Sequence, residues 1–248
     1  MSCEACRTIP AVIAQGYTPR GGYETIAGLK TYVTGNITAR TGLVDIYDVF
    51  GLASQTLQGA DLLAARLNAV VLVPDFFEGD ALKHEYIPAD TPEKQKIISD
   101  FMAHRASIPR NVEVLLEALQ QYKRQFSSVE HWGAFGLCWG GKVTVLASGP
   151  GTPFTASGQV HPGRMDVVDA LQIAIPHIVL ASKDEPLEAV AGYAKTIEGN
   201  SKGGIVETFS TMWHGWMGAR ADLEREESRA EYTRGYAQLG DFFEKHLQ

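Results

Sequence analysis

The pattern of apolar and polar positions divides this chain into short strands and longer helices. Residues 28–34 (G-L-K-T-Y-V-T) are rich in threonine, tyrosine and valine and predict an edge strand. Residues 41–47 predict a second strand, followed by the loop Asp48-Val49-Phe50-Gly51. Leu57, Leu63 and Leu67 can share one side of a helix. The unbroken apolar run Ala69-Val70-Val71-Leu72-Val73, stopped by Pro74, has the character of a strand buried on both faces. Residues 75–92 contain Gly79, Pro88 and Pro92 and little periodicity, which predicts a long surface loop.

Helices are expected near 93–104 and 112–126, the second carrying Val112, Leu115, Leu116 and Leu119 at i, i+3, i+4 and i+7. Further strands are expected at 155–161, 177–182 and 205–209, with helices at 187–197 and 222–246. Residues 1–28, punctuated by proline and glycine, predict an irregular lead-in with room for one short strand. Alternating strands and helices predict an α/β fold, with a mostly parallel central sheet covered by helices on both faces. Such sheets place ligands at the carboxyl ends of their strands. One domain spanning residues 1–248 is the economical division.

Composition narrows the function. A net charge of −7 with both signs interspersed excludes an obvious nucleic-acid face. No apolar run is long enough to span a bilayer, and the first residues lack a signal core. Three cysteines, Cys3, Cys6 and Cys138, are too few for a disulfide framework. Cys3 and Cys6 make a lone C-x-x-C without a second ligand pair, so no metal is expected there. A soluble cytoplasmic protein is the expectation.

The candidate chemistry lies in His131 to Lys142, H-W-G-A-F-G-L-C-W-G-G-K. Gly136-Leu137-Cys138-Trp139-Gly140 has the G-x-nucleophile-x-G form of a strand–turn–helix elbow, with cysteine as the nucleophile. The turn is strained, so its flanking positions must be tiny. The helix N-terminus behind it favours negative charge at Cys138 and offers N–H groups to an oxyanion. A cysteine nucleophile needs a base, and the base an orienting acid. In the order nucleophile, acid, histidine, Asp184 (in S-K-D-E-P) and His214 (in T-M-W-H-G-W) follow predicted strands, and Glu185 is the nearest rival acid.

Those motifs resemble the dienelactone hydrolases, carboxymethylenebutenolidase-like members of the α/β-hydrolase superfamily. The residues concerned are G-L-C-W-G-G at 136–141, K-D-E-P at 183–186, H-G-W at 214–216 and D-V-F-G at 48–51. The resemblance implies an α/β-hydrolase fold without a large lid domain, and Cys138, Asp184 and His214 as a triad. It implies an oxyanion hole from the backbone N–H groups of Trp139 and Val49. It also implies a carboxylate that restrains the resting cysteine, a place that Asp48 occupies. The arginines that hold a substrate carboxylate in bacterial members are not matched in position; Arg220 is the nearest. Phe76, Phe77, Trp213 and Trp216 are candidate pocket walls for a bulkier substrate, beside the ordinary alternative that they pack under the loops.

The expected function is therefore hydrolysis of a small-molecule ester or lactone through a cysteinyl acyl-enzyme. No metal or organic cofactor is needed, and no nucleic acid or membrane partner is expected; a homodimer is compatible with it. The alternatives are a thioesterase or acyl-processing hydrolase with the same triad, and a non-catalytic or redox-sensing protein on the same fold.

Overall fold

The computed structural model describes residues 4–14 and 16–248. Cys3 and the side chain of Cys6 lie outside the described residues, and with them the C-x-x-C pair. The chain opens with a short helix α1 (Ala5–Thr8) and a hairpin of β1 (Gly22–Ile26) and β2 (Leu29–Gly35). Ala27 and Gly28 turn that hairpin with φ of 54° and 79°, the left-handed pair that matches the twist of two-residue hairpins. Because β1 pairs along β2, β2 is an interior strand rather than the edge strand its composition predicts.

There follow β3 (Thr41–Ile46), α2 (Ser54–Leu67), β4 (Val70–Pro74), α3 (Pro92–Ala103) and α4 (Ile108–Gln125). The elbow joins β5 (His131–Leu137) to α5 (Trp139–Leu146). The chain then continues through β6 (Ala156–Val160), α6 (Val167–Ala170), β7 (His177–Ser182), α7 (Leu187–Gly199), β8 (Gly204–Phe209) and α8 (Glu226–His246). The predicted loop at 75–92 holds a single 3₁₀ turn, His84–Tyr86.

The eight strands form one sheet in the order β1-β2-β4-β3-β5-β6-β7-β8. Only β2 runs against its neighbours; every pairing from β4 through β8 is parallel. Every residue of β4, β6 and β7 is buried, which explains the uninterrupted apolar run of β4. α2 and α8 pack on each other at one face, and α4, α5, α6 and α7 form a continuous second layer. No helix among the described residues is long and apolar enough to cross a membrane.

The topology locates the site. From β3 the chain steps outward to β4, then returns across β3 to β5 on its other side. Loops leaving β3 and β5 therefore diverge, opening a crevice at their carboxyl ends. Asp48 and Val49 follow β3 and Cys138 follows β5, so all three lie at that end of the sheet.

Candidate active site

Cys138 sits between the last residue of β5 and the first of α5 with φ 52° and ψ −108°, a conformation costly for any residue with a Cβ. Two glycines allow it. A Cβ on Gly136 would lie 2.1 Å from the carbonyl carbon of Gly140, and one on Gly140 would lie 1.9 Å from the Ile46 oxygen. Strand and helix thus cross in backbone contact, and the tightness holds the strained residue in place. The Cys138 N–H donates to the Val160 oxygen at 3.0 Å. Its carbonyl accepts from Gly141 at 3.1 Å and from Gly163 at 2.8 Å.

The N–H groups of Trp139 and Val49 have no acceptor among the described residues. Both residues are buried, and both N–H groups belong to the segments that flank the crevice. Orphan donors of this kind are what an oxyanion site requires.

His214 lies in the loop after β8, fully buried. Its Nδ1 is 2.6 Å from Glu185 Oε1, and its backbone N–H donates to Asp184 Oδ2 at 2.8 Å. The imidazole thus meets Glu185 rather than the expected Asp184, which meets the main chain of the same residue. The physical reason is reach. β7 ends at Ser182, and Glu185 comes back over that end, its second oxygen taking the Ser182 N–H. Asp184 points out of the same turn, half-buried, where a shorter side chain meets only the backbone of the facing loop.

The other expected residues divide. Asp48 is fully buried beside the site, but its oxygens accept from Phe50 N at 2.9 Å and Ala219 N at 3.0 Å. Among the described residues it makes no hydrogen bond to Cys138, so the expected restraint of the thiol is not formed here. Burial pushes its carboxyl above the usual range, against the pull of Arg220 and those two N–H groups. Arg220 is itself buried; its Nε donates to the Ile9 carbonyl at 2.5 Å and its guanidinium lies 4.8 Å from the Phe50 ring centre.

Phe76, Phe77 and Trp216 are core side chains rather than pocket walls. Phe77 packs 4.7 Å from the Trp139 ring and 4.9 Å from Phe101, and Trp216 packs 4.3 Å from Phe209. Trp213 is half-buried and ties its indole N–H to the Arg220 carbonyl at 3.2 Å.

Two features escaped the sequence. One is His161, buried in the turn after β6 with its ring 5.3 Å from that of His214. Its position after a strand was the sole available signal. The other is the amino-terminal segment, expected only as an irregular lead-in. Ala89 N donates to the Arg7 carbonyl at 3.0 Å, Val12 N to Ala219 O at 2.8 Å, and Gln55 Nε2 to Val12 O at 2.9 Å. Residues 7–12 thereby cross the carboxyl end of the sheet, bonded to the loop after β4, the loop after β8 and the start of α2. Cys138, Glu185 and His214 are all at most 4% exposed beneath these loops. No cluster of three metal-ligating side chains occurs among the described residues.

A strained cysteine at a strand–helix elbow, a buried carboxylate–imidazole pair and two N–H donors without an acceptor among the described residues thus stand at one sheet end. Residues 29–247 match the model of the dienelactone hydrolase family, and the chain belongs to that family. It is 35% identical over 235 residues to an uncharacterised AIM2 family protein of Schizosaccharomyces pombe, covering 93% of each chain. A carboxymethylenebutenolidase homolog of Mus musculus is 26% identical over 203 residues, 79% of each. The crystal structure of a dienelactone hydrolase from Anabaena variabilis superposes with a TM-score of 0.65 at 14% identity, covering 94% of this chain and all of that one.

Proposed function

We propose that this protein hydrolyses a carboxylic ester or lactone through a thioester on Cys138, with His214 as base and Glu185 as its orienting acid. The observation that carries the reading is the Glu185–His214 contact of 2.6 Å, wholly buried at the sheet end where the elbow presents Cys138. A carboxylate on Nδ1 fixes the ring proton there and leaves Nε2 to act as the base.

The steps follow from that arrangement. Cys138 Sγ bonds to the carbonyl carbon as His214 takes the thiol proton. The carbonyl oxygen, now negative, is held by the Trp139 and Val49 N–H groups. Collapse of the tetrahedral intermediate breaks the carbon–oxygen bond, and His214 returns its proton to the leaving oxygen. Water then attacks the thioester with His214 as base, and the carboxylic acid departs as the thiol reforms. Glu185 holds the ring in place and stabilises the imidazolium.

The test is acylation by a panel of activated esters and enol lactones, followed by intact-protein mass spectrometry. The parent should form and clear an adduct, Cys138→Ala should form none, and His214→Ala should be slow to clear any it forms. Unchanged turnover in Cys138→Ala would end the proposal.

A further inference from the structure

His161 is fully buried, and neither of its ring nitrogens has a hydrogen-bond partner among the described residues. Native interiors rarely leave a side chain in that condition without a use for it. Its placement is specific. β6 lies between β5, which carries the nucleophile, and β7, which carries Glu185 at its end. His161 continues β6 by one residue, its N–H donating to Leu180 O at 2.7 Å. Its ring then stands edge-on to His214 at 69°.

The two residues that follow seat the turn on the elbow. Pro162 contacts the position of a Cβ on Gly141 at 3.3 Å, and a Cβ on Gly163 would lie 3.5 Å from Cys138 Sγ. The turn that carries His161 therefore packs against the elbow beside Cys138 Sγ, with the His161 ring against His214. The backbone supports a purpose as well. With φ 37°, His161 is, beside Cys138, a second non-glycine residue held left-handed at a neighbouring strand end. Burial and the nearby His214 and Arg220 keep its ring uncharged, so it can donate through one nitrogen and accept through the other.

We infer that His161 is a specificity-determining residue that hydrogen-bonds an oxygen on the acyl group, selecting hydroxy- or oxo-substituted acyl esters over plain alkanoyl esters. This rests on the hydrolase reading above. A site built to hydrogen-bond a substrate oxygen discriminates against the analogue lacking it, because the buried nitrogens are then left unmet.

The experiment compares kcat/KM on 4-nitrophenyl butyrate and its 2-hydroxy and 3-hydroxy counterparts. It uses the parent, His161→Phe, which keeps a ring without nitrogens, and His161→Asn, which keeps a donor and an acceptor and tolerates positive φ. The parent should prefer at least one hydroxy ester. His161→Phe should lose about tenfold on that ester and less than about threefold on the butyrate, with His161→Asn recovering part of the preference. Equal losses on both esters would mark a structural role and overturn the inference. So would a parent that favours the plain ester, a comparison that needs no variant to fold. A parent that forms no Cys138 adduct with any of the three esters sinks the hydrolase reading itself, whereas indifferent turnover of all three sinks only this inference.

Discussion

Exchanging Glu185 for glutamine and Asp184 for asparagine, one at a time, asks which carboxylate serves the imidazole. Each oxygen of Glu185 already holds one N–H, from the His214 ring and from Ser182. Glutamine has a single acceptor, so its amide group must face one of those two donors. Loss of a charge-assisted hydrogen bond costs about 1.5–3 kcal/mol, or roughly 10- to 150-fold in rate. The loss grows if the amide donates to Nδ1, because the ring proton then moves to Nε2 and blocks the base. In serine-type triads that tautomer lowers turnover about 10⁴-fold. Glu185→Gln should therefore lose between roughly 10- and 10⁴-fold in kcat/KM. Asp184→Asn retains a carbonyl for the His214 N–H and should lose less than about threefold. Steady-state kinetics on an ester that acylates the parent, with thermal melts to confirm folding, would measure both. A larger loss in Asp184→Asn, or a Glu185→Gln enzyme within threefold of the parent, would refute the assignment.

Two further predictions concern stability. Asp45 on β3 is fully buried, neither oxygen is hydrogen-bonded among the described residues, and burial, then the nearby Asp48, push its carboxyl well above the usual range. An acid raised in the folded state stabilises below its unfolded pKa, and that stability drains away as pH rises toward the folded value. Asp45→Asn should thus flatten the pH dependence from about pH 4 upward, by about 1.4 kcal/mol per pH unit within that window. Urea midpoints at pH 5 and pH 8 would show it, and an unchanged difference between them would refute it. Phe77 is the other case: removing a fully buried ring that touches Trp139, Phe101 and Tyr47 should cost about 3–5 kcal/mol. Phe77→Ala should melt far lower without changing the rank of ester substrates; a changed rank with little loss of stability would return Phe77 to the pocket.

What could be read before the structure depended on how much each feature owes to local pattern. β7 falls at His177–Ser182 as expected, because the buried apolar run Ile178-Val179-Leu180-Ala181 marks its middle and one polar residue closes each end. α3 begins one residue from its expected start, where Thr91 caps Lys94 N and Pro92 takes the first turn. α4 begins at Ile108 rather than 112: Ile108, buried one turn before Val112, already belongs to the apolar stripe, and Pro109 in the first turn was the better signal. Conversely, α8 begins only at Glu226, after residues 222–225 that carry no helix. The elbow at Cys138 was legible because it imposes glycines at fixed spacing. The partner of the His214 ring was not, because Asp184 and Glu185 are neighbours and only the course of the turn after Ser182 decides which one reaches it. Phe76 and Phe77 show the same limit: an aromatic pair in a loop looks alike whether it lines a cleft or lies beneath it.

The bonds that lay residues 7–12 across the sheet end make the two ends of the chain mechanically unequal. The amino-terminal stretch is tied to Ala89, Ala219, Arg220 and Gln55, on two loops and the start of α2 at the carboxyl end of the sheet. The carboxyl terminus lies at the opposite side of the sheet, where Thr41, at the start of β3, donates to the Leu247 carbonyl at 3.4 Å. A tether pulling on the first end loads the mouth of the site, whereas one on the other end leaves it slack. Immobilisation by the carboxyl terminus is accordingly the geometry that keeps the entrance free to move.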